Sequence, residues 1–143
     1  MSATTLDRPK LRHIAISVDD PFETADFYMQ AFDMEKVGET DSPLARGVYV
    51  SDGVICLAIL AFKNDYWAGQ NGKKYRGIHH MGFHVNSLDQ AKGSVTSAGG
   101  KHFAGRPSSS EGDTSTVVYE EKYYDPNGIM IDVCERGWPT AAK

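Results

Sequence analysis

His13, His80 and Asp132 are residues that could do chemistry together if the fold lets them meet. His13 stands third in Leu11-Arg12-His13-Ile14-Ala15-Ile16-Ser17-Val18, and His80 stands third in Ile78-His79-His80-Met81-Gly82-Phe83-His84-Val85. Asp132 is a carboxylate inside the apolar run Ile129-Met130-Ile131-Asp132-Val133-Cys134. Burying an ionised carboxylate is costly unless it is paired, hydrogen-bonded or bound to a metal. Two imidazoles and one carboxylate suit a divalent cation and leave coordination positions open for substrate or water. The competing reading makes both histidines structural strand residues, with Asp132 held by backbone amides, by Lys122 or by Arg136. Nothing local makes the three converge.

That expectation comes from a repeat. The two histidine-bearing runs are similar, and Asp52-Gly53-Val54-Ile55-Cys56-Leu57 resembles Asn127-Gly128-Ile129-Met130-Ile131-Asp132. A repeat of about half the chain length means two modules rather than a solenoid. In the first, strand 11–18 leads to Asp20 as a helix cap, Pro21 in the first turn and Glu23 three residues after the cap. Ala25, Tyr28, Met29 and Phe32 then fall at helical spacing, predicting a packed face on a helix over 21–32. Strands follow at 35–39, 47–51 and 54–62, the last two joined at Asp52-Gly53. In the second module, strand 78–85 leads to the capping box Ser87-Leu88-Asp89-Gln90. Leu88, Ala91, Val95 and Ala98 form the apolar stripe of a helix that Gly99-Gly100 ends. Strand 101–105, a polar loop over 106–113, and strands 114–124 and 129–135 complete it, with Asp125-Pro126-Asn127-Gly128 as the last turn. The order is β-α-β-β-β twice in an α+β fold. It divides into an N-terminal arm 1–10, a first module 11–62, a linker 63–77, a second module 78–135 and a tail 136–143, one domain overall.

Strand alternation assigns faces. His13 shares one with Leu11, Ala15 and Ser17; His80 shares one with Ile78, Gly82 and His84; Asp132 lines up with Met130 and Cys134. His84 could look into the cavity of His80 as a proton-transfer group, or be satisfied at a sheet edge. His79 faces the opposite side, and His102 reads as structural. Strand 114–124 sets Glu120, Lys122 and Tyr124 against Tyr119, Glu121 and Tyr123. Turned inward, the first set supplies a general base, an anion anchor and a phenolic donor; at an edge it is a solvated face. The linker mixes Lys63, Lys73, Lys74 and Arg76 with Tyr66, Trp67 and Tyr75. It reads as a strap on the sheet exterior, or as a cover for an anionic or aromatic substrate.

The chain has 143 residues, 41% hydrophobic and 24% charged, as expected of one soluble globular domain. A net charge of −4 argues against nucleic acid as a partner, since such proteins carry a basic face. No apolar run approaches the ~20 residues of a membrane span. The start Met1-Ser2-Ala3-Thr4-Thr5-Leu6-Asp7 lacks the pattern of a secretion signal. Cys56 and Cys134 lie in apolar strand patterns and read as buried reduced thiols. Together these point to a cytoplasmic protein.

With these motifs the chain resembles the vicinal oxygen chelate superfamily over residues 10–136. That superfamily holds glyoxalase I, methylmalonyl-CoA epimerase, fosfomycin-resistance proteins, bleomycin-binding proteins and extradiol dioxygenases. The strand-opening histidines, the repeat and Asp125-Pro126-Asn127-Gly128-Ile129-Met130-Ile131-Asp132 carry the resemblance. It implies paired modules curled into a cupped, mostly antiparallel mixed sheet around a metal and substrate cavity. It also implies a homodimer, and His13, His80 and Asp132 as ligands of Fe, Mn, Zn, Ni or Co. Two departures matter. The family pattern has glutamate where this chain has the shorter Asp132. In the first module Leu57 takes the place where glyoxalase I and the epimerases carry a fourth ligand, Glu or Gln. The remaining three-ligand set is more like that of extradiol dioxygenases, many of which have four modules. The resemblance therefore implies a metal-dependent enzyme that chelates a small oxygenated metabolite, either an isomerase or lyase or an iron-dependent dioxygenase. A metal-free drug- or metabolite-binding protein is the alternative, and a metal-dependent resistance transferase is a third possibility.

Overall fold

The computed structural model describes residues 5–105 and 120–141. The expected loop 106–113 and the first part of the expected strand 114–124 lie outside the described residues. The first module runs β1 (Lys10–Ser17), α1 (Pro21–Phe32), β2 (Glu35–Asp41), β3 (Ala45–Ser51) and β4 (Cys56–Phe62). A short α2 (Asp65–Ala68) and a 3-10 turn (Gly69–Asn71) lead to the second. It runs β5 (Gly77–His84), α3 (Leu88–Ser97), β6 (Lys101–Gly105), β7 (Glu120–Tyr124) and β8 (Met130–Cys134). These strands form one mixed sheet in the order β2-β3-β4-β1-β5-β8-β7-β6. Each module pairs its first and last strands in parallel, β1 with β4 and β5 with β8. The modules meet through the antiparallel pair β1–β5, which sets the two histidine strands side by side at the centre.

The two long helices, α1 and α3, cover one face. Asp20 Oδ1 accepts from the amides of Phe22 and Glu23 at the start of α1, and Asp33 ends it in the left-handed region at φ 56°. Such a cap contributes about 1 kcal/mol. Ala25, Phe22, Tyr28 and Met29 pack on Val48, Val50 and Ile59, and full burial of side chains of that size is worth about 1.5–3 kcal/mol each. Phe32, expected on this packed face, is exposed. Ser87 Oγ caps α3, and Leu88, Ala91 and Val95 pack against Val85, Tyr123 and Val133. Ala98 falls beyond the last helical turn and is exposed. The opposite face of the first module gathers Ala15, Ala45, Ala58, Leu60 and Phe62 under α2, which contributes the buried Ala68. The linker is thus a strap, but over the cavity face opposite α1 and α3, with Trp67 in the cavity lining, rather than on the expected sheet exterior. Asn64 Oδ1 caps it by accepting from the Trp67 amide. Among its cations, Lys63 pairs with Asp41 and Arg76 with Asp19.

Two features of register revise the expected faces. In the β1–β5 ladder Leu11 pairs with Phe83 but His13 with Gly82, and Ala15 pairs with His80 but Ile16 with Ile78. Each strand therefore carries one extra residue, Arg12 in β1 and His79 in β5, immediately before its histidine. A bulge of this kind interrupts alternation. Leu11 and Ile78 consequently lie on the face opposite His13 and His80, and His79 comes round beside His80 instead of pointing away from it.

The second revision concerns the fourth-ligand position. The β3–β4 turn leaves four residues between the paired Ser51 and Cys56, whereas the β7–β8 turn leaves five between Tyr124 and Met130. Aligning the modules on Gly53 and Gly128 is therefore wrong by one residue. In the ladders Asp132 pairs with Gly82, two residues past His80, and Ala58 pairs with Ala15, two residues past His13. Ala58, not Leu57, is the counterpart of Asp132; Leu57 packs with the α1 cluster.

Candidate metal centre

The central strands bring His13, His80 and Asp132 together, all buried. His13 Nε2 lies 3.2 Å from His80 Nε2, and Asp132 Oδ2 lies 2.9 Å from His80 Nε2 and 3.9 Å from His13 Nε2. Donor atoms bound about 2.0–2.2 Å from one ion stand roughly 3–3.5 Å apart, so these separations fit a shared cation with a small adjustment at one edge. Asp132 Oδ2 has no hydrogen-bond partner despite being fully buried; its approach to His80 Nε2 lacks hydrogen-bond geometry. The other carboxylate oxygen, Oδ1, accepts from Lys122 Nζ at 2.8 Å. Lys122 thus turns Oδ2 toward the two imidazoles. An unpaired buried oxygen is expensive, and a cation at the junction of the three donors would satisfy it.

Burial disfavours the protonated imidazoles. It pushes His13 down to about 4, with the neighbouring His80 adding to the effect. Burial, then Lys122, holds His80 well below its ordinary value. Both are therefore neutral at pH 7, as ligand nitrogens must be. An unfolded chain takes up the His13 proton near 6.5, the fold only near about 4. Between those values the unfolded state binds more protons, so stability is full above pH 6.5 and falls as the pH drops. The expected loss from this residue is about 3 kcal/mol over that interval. Urea melts of metal-free protein at pH 7.5 and 5 check this; equal midpoints would count against burial of a neutral His13.

Of the proton-transfer residues expected from the sequence, Glu120 and Lys122 are buried and line the same cavity as His13 and His80. Glu120 Oε1 accepts from Trp138 Nε1 at 2.7 Å, and its Oε2 lies 3.7 Å from Lys122 Nζ. Tyr124 does not join them: two pleats along β7 it contacts Phe103 and borders a separate hollow with His79 and Met130. His84 is also outside the cavity, its Nε2 bonded to the Glu135 carbonyl at 3.0 Å. Glu121 and Tyr123 face the helix side, where Glu121 pairs with His102.

The sequence reading passed over two residues that matter here. Trp138 lies in the tail, which Gly137 turns back at φ 79°. Its ring stacks on His13 at 4.5 Å between centroids and 6° between planes. Gly82 makes room, since a Cβ there would stand 2.7 Å from the Trp138 ring and 2.8 Å from His13. A tryptophan following the last strand was the available signal. The other is His79, whose Nδ1 lies 2.7 Å from His80 Nδ1 and whose Nε2 lies 2.7 Å from the Ala68 carbonyl oxygen. Beyond the polar end, the cavity is walled by apolar side chains including Leu44, Tyr49, Leu60, Phe62 and Trp67.

Residues 10–133 match the model of the glyoxalase/bleomycin resistance protein/dioxygenase superfamily, and the chain belongs to that family. Its fold is similar to that of a hypothetical protein, BH1468 from Bacillus halodurans C-125, with TM-score 0.73 and 18% identity, covering 93% of this chain and 98% of that one. Methylmalonyl-CoA epimerase from Mycobacterium tuberculosis is similar at TM-score 0.69 and 19% identity, over 94% of this chain and 92% of that one. Methylmalonyl-CoA epimerase bound to methylmalonyl-CoA and NH4+ is similar at TM-score 0.67 and 19% identity, over 94% and 100%. Among curated proteins none matches the sequence. No helix among the described residues is long and apolar enough to cross a membrane.

Proposed function

We propose that the protein is a divalent-metal-dependent enzyme acting on a small molecule with an oxygenated head and an apolar body. One observation carries this reading: the unpartnered Asp132 Oδ2, fully buried, within 3.9 Å of two neutral imidazole nitrogens. His13, His80 and Asp132 would hold the cation, with Lys122 orienting the carboxylate. Bound there, a divalent cation supplies Lewis-acid stabilisation of negative charge developing on substrate oxygen. Glu120 faces the same cavity and can accept or return a substrate proton, its carboxylate held by the Trp138 indole. Trp138 and Trp67 shield the site from water, and the apolar wall receives the body of the substrate.

The donor set favours oxygenase chemistry. With the Ala58 methyl in the fourth-ligand position, the two-histidine, one-carboxylate set has the composition used by non-haem iron oxygenases. Glu120 favours a second reading, an isomerase or lyase that works by proton abstraction, and the fold-level likeness to methylmalonyl-CoA epimerases agrees with it. A homodimer forms part of the proposal; the exposed Phe27 and Ile78, which border one hollow, offer an apolar pairing surface. The free, buried Cys56 and Cys134 suit a reducing cytoplasm.

Protein purified without chelator should carry Fe, Mn, Zn, Ni or Co in stoichiometric amount by elemental analysis, and His13→Ala should lose it while remaining folded. Metal-free wild type that takes up none of these ions would instead indicate a metal-free binding protein. Oxygen consumption by the Fe(II)-loaded protein with simple catechols would support the oxygenase reading. Solvent deuterium exchange into methylmalonyl-CoA, followed by NMR, would support proton transfer.

A further inference from the structure

Both central histidines follow a bulge residue, but the two bulges differ. Arg12 leaves the Nδ1 of His13 without a partner, whereas His79 stands against the Nδ1 of His80. The contacts of His79 fix the positions of the protons. The Ala68 carbonyl can only accept a hydrogen bond, so the His79 Nε2 at 2.7 Å from it must carry a hydrogen. A neutral imidazole has one N–H, so with Nε2 donating to the Ala68 carbonyl the Nδ1 of His79 is a bare acceptor. The His80 Nδ1, 2.7 Å away, must then be the donor. A neutral His80 that donates from Nδ1 has a bare Nε2, and that is the atom lying between His13 Nε2 and Asp132 Oδ2. The opposite arrangement, His80 Nε2–H donating to Asp132, would set lone pairs face to face at 2.7 Å in one of the two outer contacts. In the arrangement chosen, the bare Nε2 accepts from His13 Nε2–H at 3.2 Å, and its 2.9 Å contact with Asp132 Oδ2 is one that a cation would relieve.

We propose that His79 is a positioning residue that locks His80 in its Nδ1-protonated tautomer, keeping Nε2 as a donor for a divalent cation. The outer hydrogen-bond partner of a metal-bound histidine has this role generally, and here another histidine fills it. The relay begins at the strap. Ala68 is the last residue of α2 and is buried against the first-module sheet. Its carbonyl, at the junction of α2 and the 3-10 turn, receives the His79 N–H. Phe62 packs on the His79 ring at 4.4 Å between centroids and confines it further. The strap therefore sets the protonation pattern of the centre through His79.

The cation-donor part rests on the metal reading above; the tautomer does not, and the test separates them. Long-range proton–nitrogen NMR of the metal-free wild type at pH 7.5 should show His79 protonated at Nε2 and His80 at Nδ1. Titration calorimetry with Zn(II) and Mn(II) should show His79→Phe binding about 10–100-fold more weakly than wild type, with an unchanged circular dichroism spectrum. His79→Asn, whose side-chain oxygen can still accept from His80 Nδ1, should recover most of that loss. His80 protonated at Nε2 in the wild type overturns the proposal, as does His79→Phe binding with wild-type affinity. If His79→Phe fails to fold, the wild-type tautomers and the Asn variant still decide. If wild type has the stated tautomers but binds neither ion, the metal reading fails while the relay stands.

Discussion

Asp132→Ala is expected to abolish divalent-metal binding and to destabilise the metal-free protein by about 3–5 kcal/mol. The carboxylate does two jobs at once. Oδ2 faces the two imidazoles, and Oδ1 accepts from the ammonium of Lys122, which is only 5% exposed. Truncation removes an anionic donor from a set of three and deprives a buried ammonium of the carboxylate 2.8 Å from it. Glu120, 3.7 Å from Lys122 Nζ, offsets part of the second effect and moves the loss toward the lower end of the range. The double variant Asp132→Ala/Lys122→Met separates the two roles, because it removes the ammonium as well. It should regain much of the stability in urea melts while still binding no Zn(II) or Mn(II) by calorimetry. Retained metal affinity in Asp132→Ala would remove the carboxylate from the ligand set. A double variant no more stable than the single one would show that the ion pair is not the source of the loss.

The module order and both long helices could be read from the sequence because alternation, caps and turns are local. Asp20-Pro21 and Ser87 mark helix starts wherever they occur. His13 and His80 could be singled out because the repeat paired them, and Asp132 because it is a carboxylate in an otherwise apolar strand. What escaped was set by single-residue irregularities. The bulges at Arg12 and His79 reverse the faces of Leu11, Ile78 and His79, and a bulge depends on the partner strand, so neither strand shows it alone. The extra residue in the β7–β8 turn moved the fourth-ligand position from Leu57 to Ala58, because similar glycine turns hid a difference in length. Tyr124 and His84 share strand faces with site residues but lie too far along their strands to reach the cavity. Trp138 lies in a tail without periodicity, and only the return at Gly137 brings it onto His13. Asn64 was a readable helix cap, masked by the mixed composition of the strap.

Ala58→Glu should bind divalent metal more tightly than wild type and be destabilised without it. Ala58 is 1% exposed, lines the cavity with His13 and His80, and occupies the register position that Asp132 has in the other module. A carboxylate there points where a fourth ligand would stand. Without a cation it is a buried charge that must pay several kcal/mol or take up a proton. With one it fills an open position, at the expense of any substrate that needs that position. Saturation at a thousand times Kd would return about 4 kcal/mol through mass action. Leu57→Glu is the matched control: its carboxylate would enter the apolar cluster under α1, where no cation can relieve it. Thermal melts of both variants with and without Zn(II) or Mn(II) compare them directly. The metal-dependent gain in melting temperature should exceed that of wild type for Ala58→Glu and not for Leu57→Glu. The reverse pattern would mean that the sheet register has been read one residue out of step. Rescue of neither variant would count against a cation at this junction altogether.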